Sequence, residues 1–336
     1  MDGSRPTMRD VAARAGVGVG TVSRVVNGGV NVSPATKQRV EDAIASIGFN
    51  RNEAARMLRP GQASATIGLI VDDLRNPFSS ELASGAAEVV KAYDHVLLIG
   101  ATQLDPDAER DLVSEFVRRR VDGMLVVTSG TATGPGDPIA IAGGTPIVYL
   151  DRTPRQTPFD SVVLDNSSGT RQALTSLIEA GHRRIAYMGG APTAATGGAR
   201  LRAYRRVLRE HGIPVEDALV SMHNYSAEAA RTTTMRMLRS DTPPTAFFSD
   251  NNRMTLGAIQ AFTTLDTAAA LAGFDDLELA DLLPFEIDLV VYSPEEMGRR
   301  GAVRLFERIA GDDSERTSIR VPTRLERRGR RFHDND

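Results

Sequence analysis

Over the first fifty positions, apolar residues recur at helical spacing in three short bursts. Val11, Ala12 and Ala15 form the first, and Gly16 stops it. Thr7-Met8-Arg9-Asp10, just before it, has the spacing of a capping box, with a hydroxyl at the N-cap and a carboxylate three residues on. The second burst begins near Gly18 to Gly20. It puts Val22, Val25 and Val26 on one side, with Thr21, Ser23, Arg24 and Asn27 as its polar set, and Asn27-Gly28-Gly29 ends it. Ser33-Pro34 opens the third, where Val40, Ala43, Ile44 and Ile47 recur at i, i+3, i+4 and i+7 until Gly48. Two short helices joined by a Gly-containing turn, followed by a third helix, make a helix-turn-helix. Such a unit can place its second helix in a DNA major groove. On spacing alone, a three-helix protein-interaction module with a solvated polar face remains the alternative.

After Gly61-Gln62-Ala63-Ser64 the pattern changes to buried strands alternating with amphipathic helices. Strands are predicted at Thr66–Asp72, Val96–Ala101, Gly123–Val127 and Pro146–Asp151, then at Ser161–Asp165, Arg184–Gly189, Thr245–Ser249 and Ala268–Phe274. Helical stretches such as Glu81–Tyr93, Ala108–Arg119, Ser167–Ala180, Arg200–His211 and Ala227–Leu238 separate them. This alternation predicts parallel sheets covered on both faces by helices. The strands are too many for one sheet, and the series breaks around Asp151–Asp160. The expected architecture is therefore an all-α head followed by two doubly wound α/β subdomains, with ligands in the cleft at the carboxyl ends of the strands.

A chain of 336 residues fits more than one folding unit. It contains no cysteine, which excludes disulfides, thiolate metal sites and a cysteine nucleophile. A polar N-terminus without a signal-like apolar stretch, and no apolar run of bilayer length, lead to a cytoplasmic expectation with no membrane partner, and with nucleoid association when DNA is bound. The net charge of −3 argues against a nucleic-acid partner until its distribution is considered. Residues 1–62 hold nine Arg/Lys against five Asp/Glu, a surplus of four, while the remainder is acidic, 31 against 38. No G-x-G-x-x-G follows the first strand, and there is neither a P-loop nor a G-x-S-x-G elbow. Asp72-Asp73 and Asp275-Asp276 are neighbours whose side chains should point apart, so neither is an acid/base dyad. The five histidines lack ligand spacing, and His182 reads as a capping residue in a helix-to-strand turn. No enzyme activity, catalytic residue, cofactor or metal is expected.

Arg9-Asp10-Val11-Ala12, Ala15-Gly16-Val17 and above all Thr21-Val22-Ser23-Arg24-Val25-Val26-Asn27 resemble the head-piece of the lac/galactose repressor (LacI/GalR) family. Val32-Ser33 and Ile47-Gly48-Phe49-Asn50 continue the likeness. In the body, Ile67-Gly68-Leu69-Ile70-Val71 with Asn76-Pro77-Phe78 is similar to the family's first strand and loop. Gly181-His182-Arg183-Arg184-Ile185-Ala186 and Gly273-Phe274-Asp275-Asp276 match two further elements, and the likeness runs to about Arg328.

The resemblance implies a type I periplasmic-binding-protein-like body and a homodimer that binds operator DNA under the control of a small molecule, a sugar or alternatively a purine. It implies DNA contacts from Thr7, Val19, Gly20, Thr21, Ser23, Arg24, Asn27, Asn31 and Ser33. It also implies a hinge helix in which Leu58 wedges into the minor groove and Ala55 lies at the contact between two copies. For the effector it implies Asp151, Arg200, Asn251 and Asp275, with Tyr225 stacking on a sugar face and Phe78 at the cleft entrance. The implied divisions are 1–50 for the head, 51–62 for the hinge and 63–336 for the body. The first subdomain takes about 63–160 and 292–321, and the second about 161–291 and 322–330.

Three departures stand out. Gly18 replaces the family's usual Ser and Gly20 lacks a side chain. The family's Asn-Asp pair is Asn251-Asn252. The link from Gly257 to Gly273 is shorter than usual. A transport-type sugar-binding protein and an effector-independent regulator are the competing expectations.

Overall fold

The computed structural model describes residues 6–26, 32–47, 65–130, 138–154, 159–190, 195–222, 224, 226–267 and 269–330. Two units form, Met1–Ala63 and Ser64–Asp336. The expectations for Asn27, Asn31, Ala55, Leu58, the hinge and Tyr225 lie outside the described residues.

In the first unit, α1 (Met8–Ala15), α2 (Val19–Val26) and α3 (Pro34–Ile47) bury Val11, Ala12, Ala15, Val22, Val40 and Ala43 against one another. The capping box forms as the spacing predicts: the Thr7 backbone N–H and hydroxyl each donate to Asp10 Oδ2 at 2.7 Å. Gly16 ends α1 with φ +64°, a left-handed conformation that glycine adopts without a Cβ penalty.

In the second unit the first sheet has the order β11-β5-β4-β3-β1-β2. These strands are β1 (Thr66–Val71), β2 (Val96–Ala101), β3 (Gly123–Val126), β4 (Ile147–Leu150), β5 (Ser161–Leu164) and β11 (Ser318–Val321), all parallel. The second sheet has the order β12-β10-β9-β8-β6-β7, made of β6 (Ile185–Met188), β7 (Val220–Ser221), β8 (Ala246–Ser249), β9 (Ala270–Phe274), β10 (Ile287–Val291) and β12 (Arg324–Arg328). Only the β10–β12 pairing is antiparallel among the described strands.

The helices of the first sheet are α4 (Pro77–Ala92), α5 (Pro106–Arg118), the short α6 (Pro138–Ala142) and α11 (Pro294–Ile309). Those of the second are α7 (Asn166–Glu179), α8 (Ala195–Glu210), α9 (Ala227–Leu238) and α10 (Asn252–Leu265). Fully buried β-branched and aliphatic strand residues such as Ile67, Leu69, Leu125 and Val148 give near-continuous apolar strands, as a sheet covered on both faces requires.

One boundary differs from the sequence pattern. That pattern puts Ser161–Asp165 in the second set, with the first subdomain ending at about 160. In the structure β5 pairs with β4 on one side and β11 on the other, so the first crossing falls after Leu164. Neither pairing leaves a trace in local periodicity, and the β11 partner of Ser161, Ser318, is 157 positions away. The other two crossings fall between Val291 and Pro294 and between Val321 and Arg324.

Two further features hold the first subdomain together. A Cβ on Gly85 of α4 would strike the Glu295 carbonyl, and one on Gly298 of α11 would strike the Leu82 carbonyl, so these two helices touch backbone to backbone. At the amino end of β5, Asp160 is 1% exposed and accepts from Arg304 Nε at 2.8 Å, Arg308 Nε at 2.7 Å and Arg316 Nη1 at 3.1 Å.

Candidate functional site

The head unit offers one face of α2 for recognition. Val22 is buried, whereas Val19, Gly20 and Arg24 are exposed and Thr21 and Ser23 half-buried. Arg24 folds back, its Nε donating to the Gly20 carbonyl at 3.2 Å. Ser33 accepts from the Thr36 N–H at 3.3 Å, at the start of α3. Thr7 and Ser33 are therefore engaged as helix caps, and any phosphate contact they make shares those hydroxyls.

In the body, five of the six expected effector residues line one cleft of about 520 Å³ at the carboxyl ends of the strands: Phe78, Asp151, Arg200, Asn251 and Asp275. Arg200 comes from α8, which is buried along the side that faces the sheet. Its Nε donates to Asn166 Oδ1 at 2.8 Å, its Nη1 donates to the Asp250 carbonyl, and its Cζ lies 3.5 Å from the centre of the Phe274 ring. The guanidinium is locked flat, and Nη2 makes no hydrogen bond among the described residues. Asp275 follows β9 with φ +75° and is 9% exposed. Its Oδ1 accepts from the Tyr292 hydroxyl at 2.7 Å and its Oδ2 from the Asn252 N–H at 3.1 Å. Phe78 meets Tyr292 edge-on at 6.3 Å, and Tyr292 meets Phe274 at 6.1 Å, giving the cleft floor an aromatic spine.

Asn251 lines the cleft, but its side chain is largely occupied. Its Oδ1 caps α10 through the Arg253 and Met254 N–H groups at 3.0 and 3.1 Å, and its Nδ2 donates to Asp250 Oδ1 at 2.8 Å. Sequence reasoning missed Asp250, which sits at the end of β8 where the strand-end rule could have found it, and Arg152, which pairs with Asp72 at 2.5 Å and Asp151 at 3.2 Å. It missed Tyr292 too, because a residue in a crossing carries no periodic signal. The adjacent aspartates part as expected, although both pairs lie just beyond their strands rather than on them. Asp275 is buried and Asp276 exposed, while Asp72 turns to Arg152 and Asp73 to Arg75 and Arg253.

Burial raises the Asp151 carboxyl against the pull of Arg152 and Arg200. Burial likewise pushes Asp250 from 3.8 up to about 6, opposed by Arg200 and the Gly190 N–H. An acid whose folded pKa is raised binds its proton more tightly when folded. Asp250 therefore adds stability as pH falls through 6 towards 3.8, and the gain approaches about 3 kcal/mol. Urea midpoints of the wild type and Asp250→Asn, compared between pH 7 and pH 4, should diverge in favour of the wild type as acid is added. A constant difference would show an ordinary carboxyl.

Comparison with known proteins matches both units. Residues 7–52 fit the model of bacterial regulatory proteins of the lacI family, and residues 174–329 fit the periplasmic binding protein-like domain. The transcriptional regulator CelR of Thermobifida fusca is 32% identical over 96% of this chain and 97% of its own. Catabolite control protein A of Priestia megaterium is 29% identical over 95% and 97%. Among solved structures, the lac repressor dimer bound to operator and the anti-inducer ONPF superposes with a TM-score of 0.85 at 25% identity, covering 97% of this chain and 99% of that one. A CelR–cellobiose complex superposes at 0.71 with 29% identity, covering 96% and 98%. With a capped helix-turn-helix in the first unit, two mainly parallel sheets beside a polar cleft in the second, and relatives matched along nearly their whole length, the chain belongs to the LacI family of transcriptional regulators.

Proposed function

We propose that this regulator binds operator DNA as a homodimer and that its cleft takes a small neutral polyhydroxylated effector of the sugar class. The observation that carries the effector reading is the charge arrangement of the cleft. Of its four lining guanidiniums, Arg75 and Arg253 meet Asp73, and Arg152 meets Asp72 and Asp151. Arg200 alone is held by neutral groups, an amide oxygen and a backbone carbonyl. The carboxylates of Asp151, Asp250 and Asp275 face the same space. Hydroxyl groups can donate to those carboxylates and accept from Arg200, while a phosphate would meet two acids without an arginine partner, Asp250 and Asp275, for one available cation. The Phe78 and Tyr292 rings that line the same space suit the apolar face of a sugar. The cellobiose bound by the related CelR supports the same class.

The dimer reading rests on exposed apolar surface. β2 is an edge strand with Val96 67% and Ile99 40% exposed, and Leu279 and Leu282 of the second subdomain are 67% and 68% exposed. A long apolar edge of this kind is ordinarily covered by another chain. In the dimer, α2 of each head would enter a major groove. Ligand would alter DNA affinity only through different affinity for two body states.

The test is a thermal-shift screen against neutral sugars, sugar phosphates and nucleobases, each hit repeated with Asp275→Ala and followed by operator binding with and without the hit. A neutral sugar should raise the melting temperature by mass action, and Asp275→Ala should weaken it by ten-fold or more, about 1.5–3 kcal/mol for a hydrogen bond to a charged group. A hit confined to sugar phosphates or nucleobases would reject the neutral-polyol class.

A further inference from the structure

Two contacts join the subdomains across the mouth of the cleft. Asp73, in the loop after β1, accepts from Arg253 Nη2 at the start of α10. Its carboxylate is oriented from its own side, because the Arg75 backbone N–H and Nε donate to Oδ1, each at 3.0 Å, and Arg75 Nη2 donates to Oδ2 at 3.0 Å. Beside it, Asn252 Nδ2 donates to Asn76 Oδ1 at 2.9 Å. That same oxygen caps α4 by accepting from the Phe78 N–H at 3.2 Å. The Asn252 N–H also donates to Asp275, which holds the Tyr292 hydroxyl, so the mouth is tied to the buried carboxylate and to the second crossing.

The identity of residue 252 matters here. Family resemblance leads one to expect an aspartate, and a carboxylate at this place would set an acceptor against Asn76 Oδ1, itself an acceptor already in use. An amide donates instead, so the substitution supplies a bond between the subdomains that a carboxylate in the same place could not make.

We propose that Asp73–Arg253 and Asn76–Asn252 form a clasp that holds the cleft closed with no ligand inside. The proposal deepens the effector reading by assigning regulation to the same site. A cleft already closed binds its ligand without the free-energy cost of closing, and the ligand then has less leverage on the equilibrium between body states. The ionic half of the clasp is partly exposed, with Arg253 35% and Asp73 14% accessible, so salt weakens it. The amide half is partly buried and joins two uncharged groups, so it is not screened in this way.

Because the chain has no cysteine, Ser80→Cys on α4 and Thr264→Cys on α10, both exposed, can carry one pair of spin labels. Labelled chain is diluted with unlabelled chain so that each assembly holds one pair, and no ligand is added. The expected distribution is a single short distance at low salt, with a longer population growing as salt is raised. Arg253→Ala and Asp73→Asn should each show the longer population at low salt, and Asn252→Asp should add to it. A wild-type distribution already at the longer distance in low salt, or one that both Arg253→Ala and Asp73→Asn leave unchanged, would overturn the clasp. The distances are measured without ligand, so that result would leave the effector reading standing, and an empty ligand screen would leave the clasp standing.

Discussion

Replacing Asp160 by alanine is expected to destabilise the body by about 3–5 kcal/mol, the range for breaking a buried ion pair from one side. Arg304 and Arg308 have side chains 9% and 4% exposed, and both direct Nε at this carboxylate. Without it, Arg304 keeps Glu307 and Asp312 at the surface, whereas Arg308 keeps only the Asp312 and Glu315 carbonyls at hydrogen-bond distance. Asp160→Asn should cost nearly as much, since the missing element is charge rather than shape. The pH dependence follows from the same contacts. Burial pushes the Asp160 carboxyl up, but hydrogen bonds from Arg308, Arg304 and the Thr317 N–H outweigh it and hold the group well below the usual carboxylate range. Its contribution is therefore complete above about pH 4 and is lost as pH falls towards the depressed folded value. Urea titration at pH 7 reads the loss from the midpoint, and a change below about 1 kcal/mol, the size of an exposed pair, would mean that water substitutes for the carboxylate.

The second large effect is expected at Gly298. A methyl group there meets the Leu82 carbonyl of α4, and a backbone oxygen cannot rotate away as a side chain can. Gly298→Ala must separate α4 from α11, at a cost of about 3 kcal/mol, the upper part of the range for overpacking. Both helices begin at the cleft, α4 from Asn76 and α11 just beyond Tyr292. The variant should therefore lose effector affinity as well as thermal stability. Gly212→Ala serves as a contrast: a methyl there meets nothing within 4 Å, so its effect is confined to the strain of φ +67°. Comparable melting temperatures for the two variants would reject the close-packing argument.

The sequence disclosed most of what depends on neighbours along the chain. The Thr7–Asp10 capping box, the Gly16 stop and the helical spacing of Val40, Ala43 and Ile47 are local features, and the head forms as they predict. Strand–helix alternation revealed two sheets for the same reason. The place of β5 was hidden because its pairing, with β4 on one side and with β11 more than 150 residues away on the other, leaves no periodic signal. Within the cleft, Asp151 and Asp275 were legible as polar residues at strand ends matched to a family, and Arg200, which lies inside α8, through the family likeness. Asp250 was overlooked beside Asn251, and Arg152 carries no local signal because its partner Asp72 lies in the loop after β1, 80 positions away. Arg304 and Arg308, spaced i and i+4 on α11, look in sequence like a solvated face. Only the fold brings Asp160 to them.

The interleaving of the two sheets bears on synthesis. β11, which completes the first sheet beside β5, is made after every strand of the second sheet except β12. A growing chain on the ribosome thus holds β1 to β5 with one flank open while β6 to β10 emerge, and Asp160 waits for arginines that arrive more than 140 residues later. Helix-turn-helix contacts, by contrast, close within the first fifty residues. The head can fold while the body is still unfinished. A nascent regulator would then have a DNA-binding surface before it has a completed effector cleft. Its first encounters with DNA would be free of ligand control until β11 and β12 leave the exit tunnel.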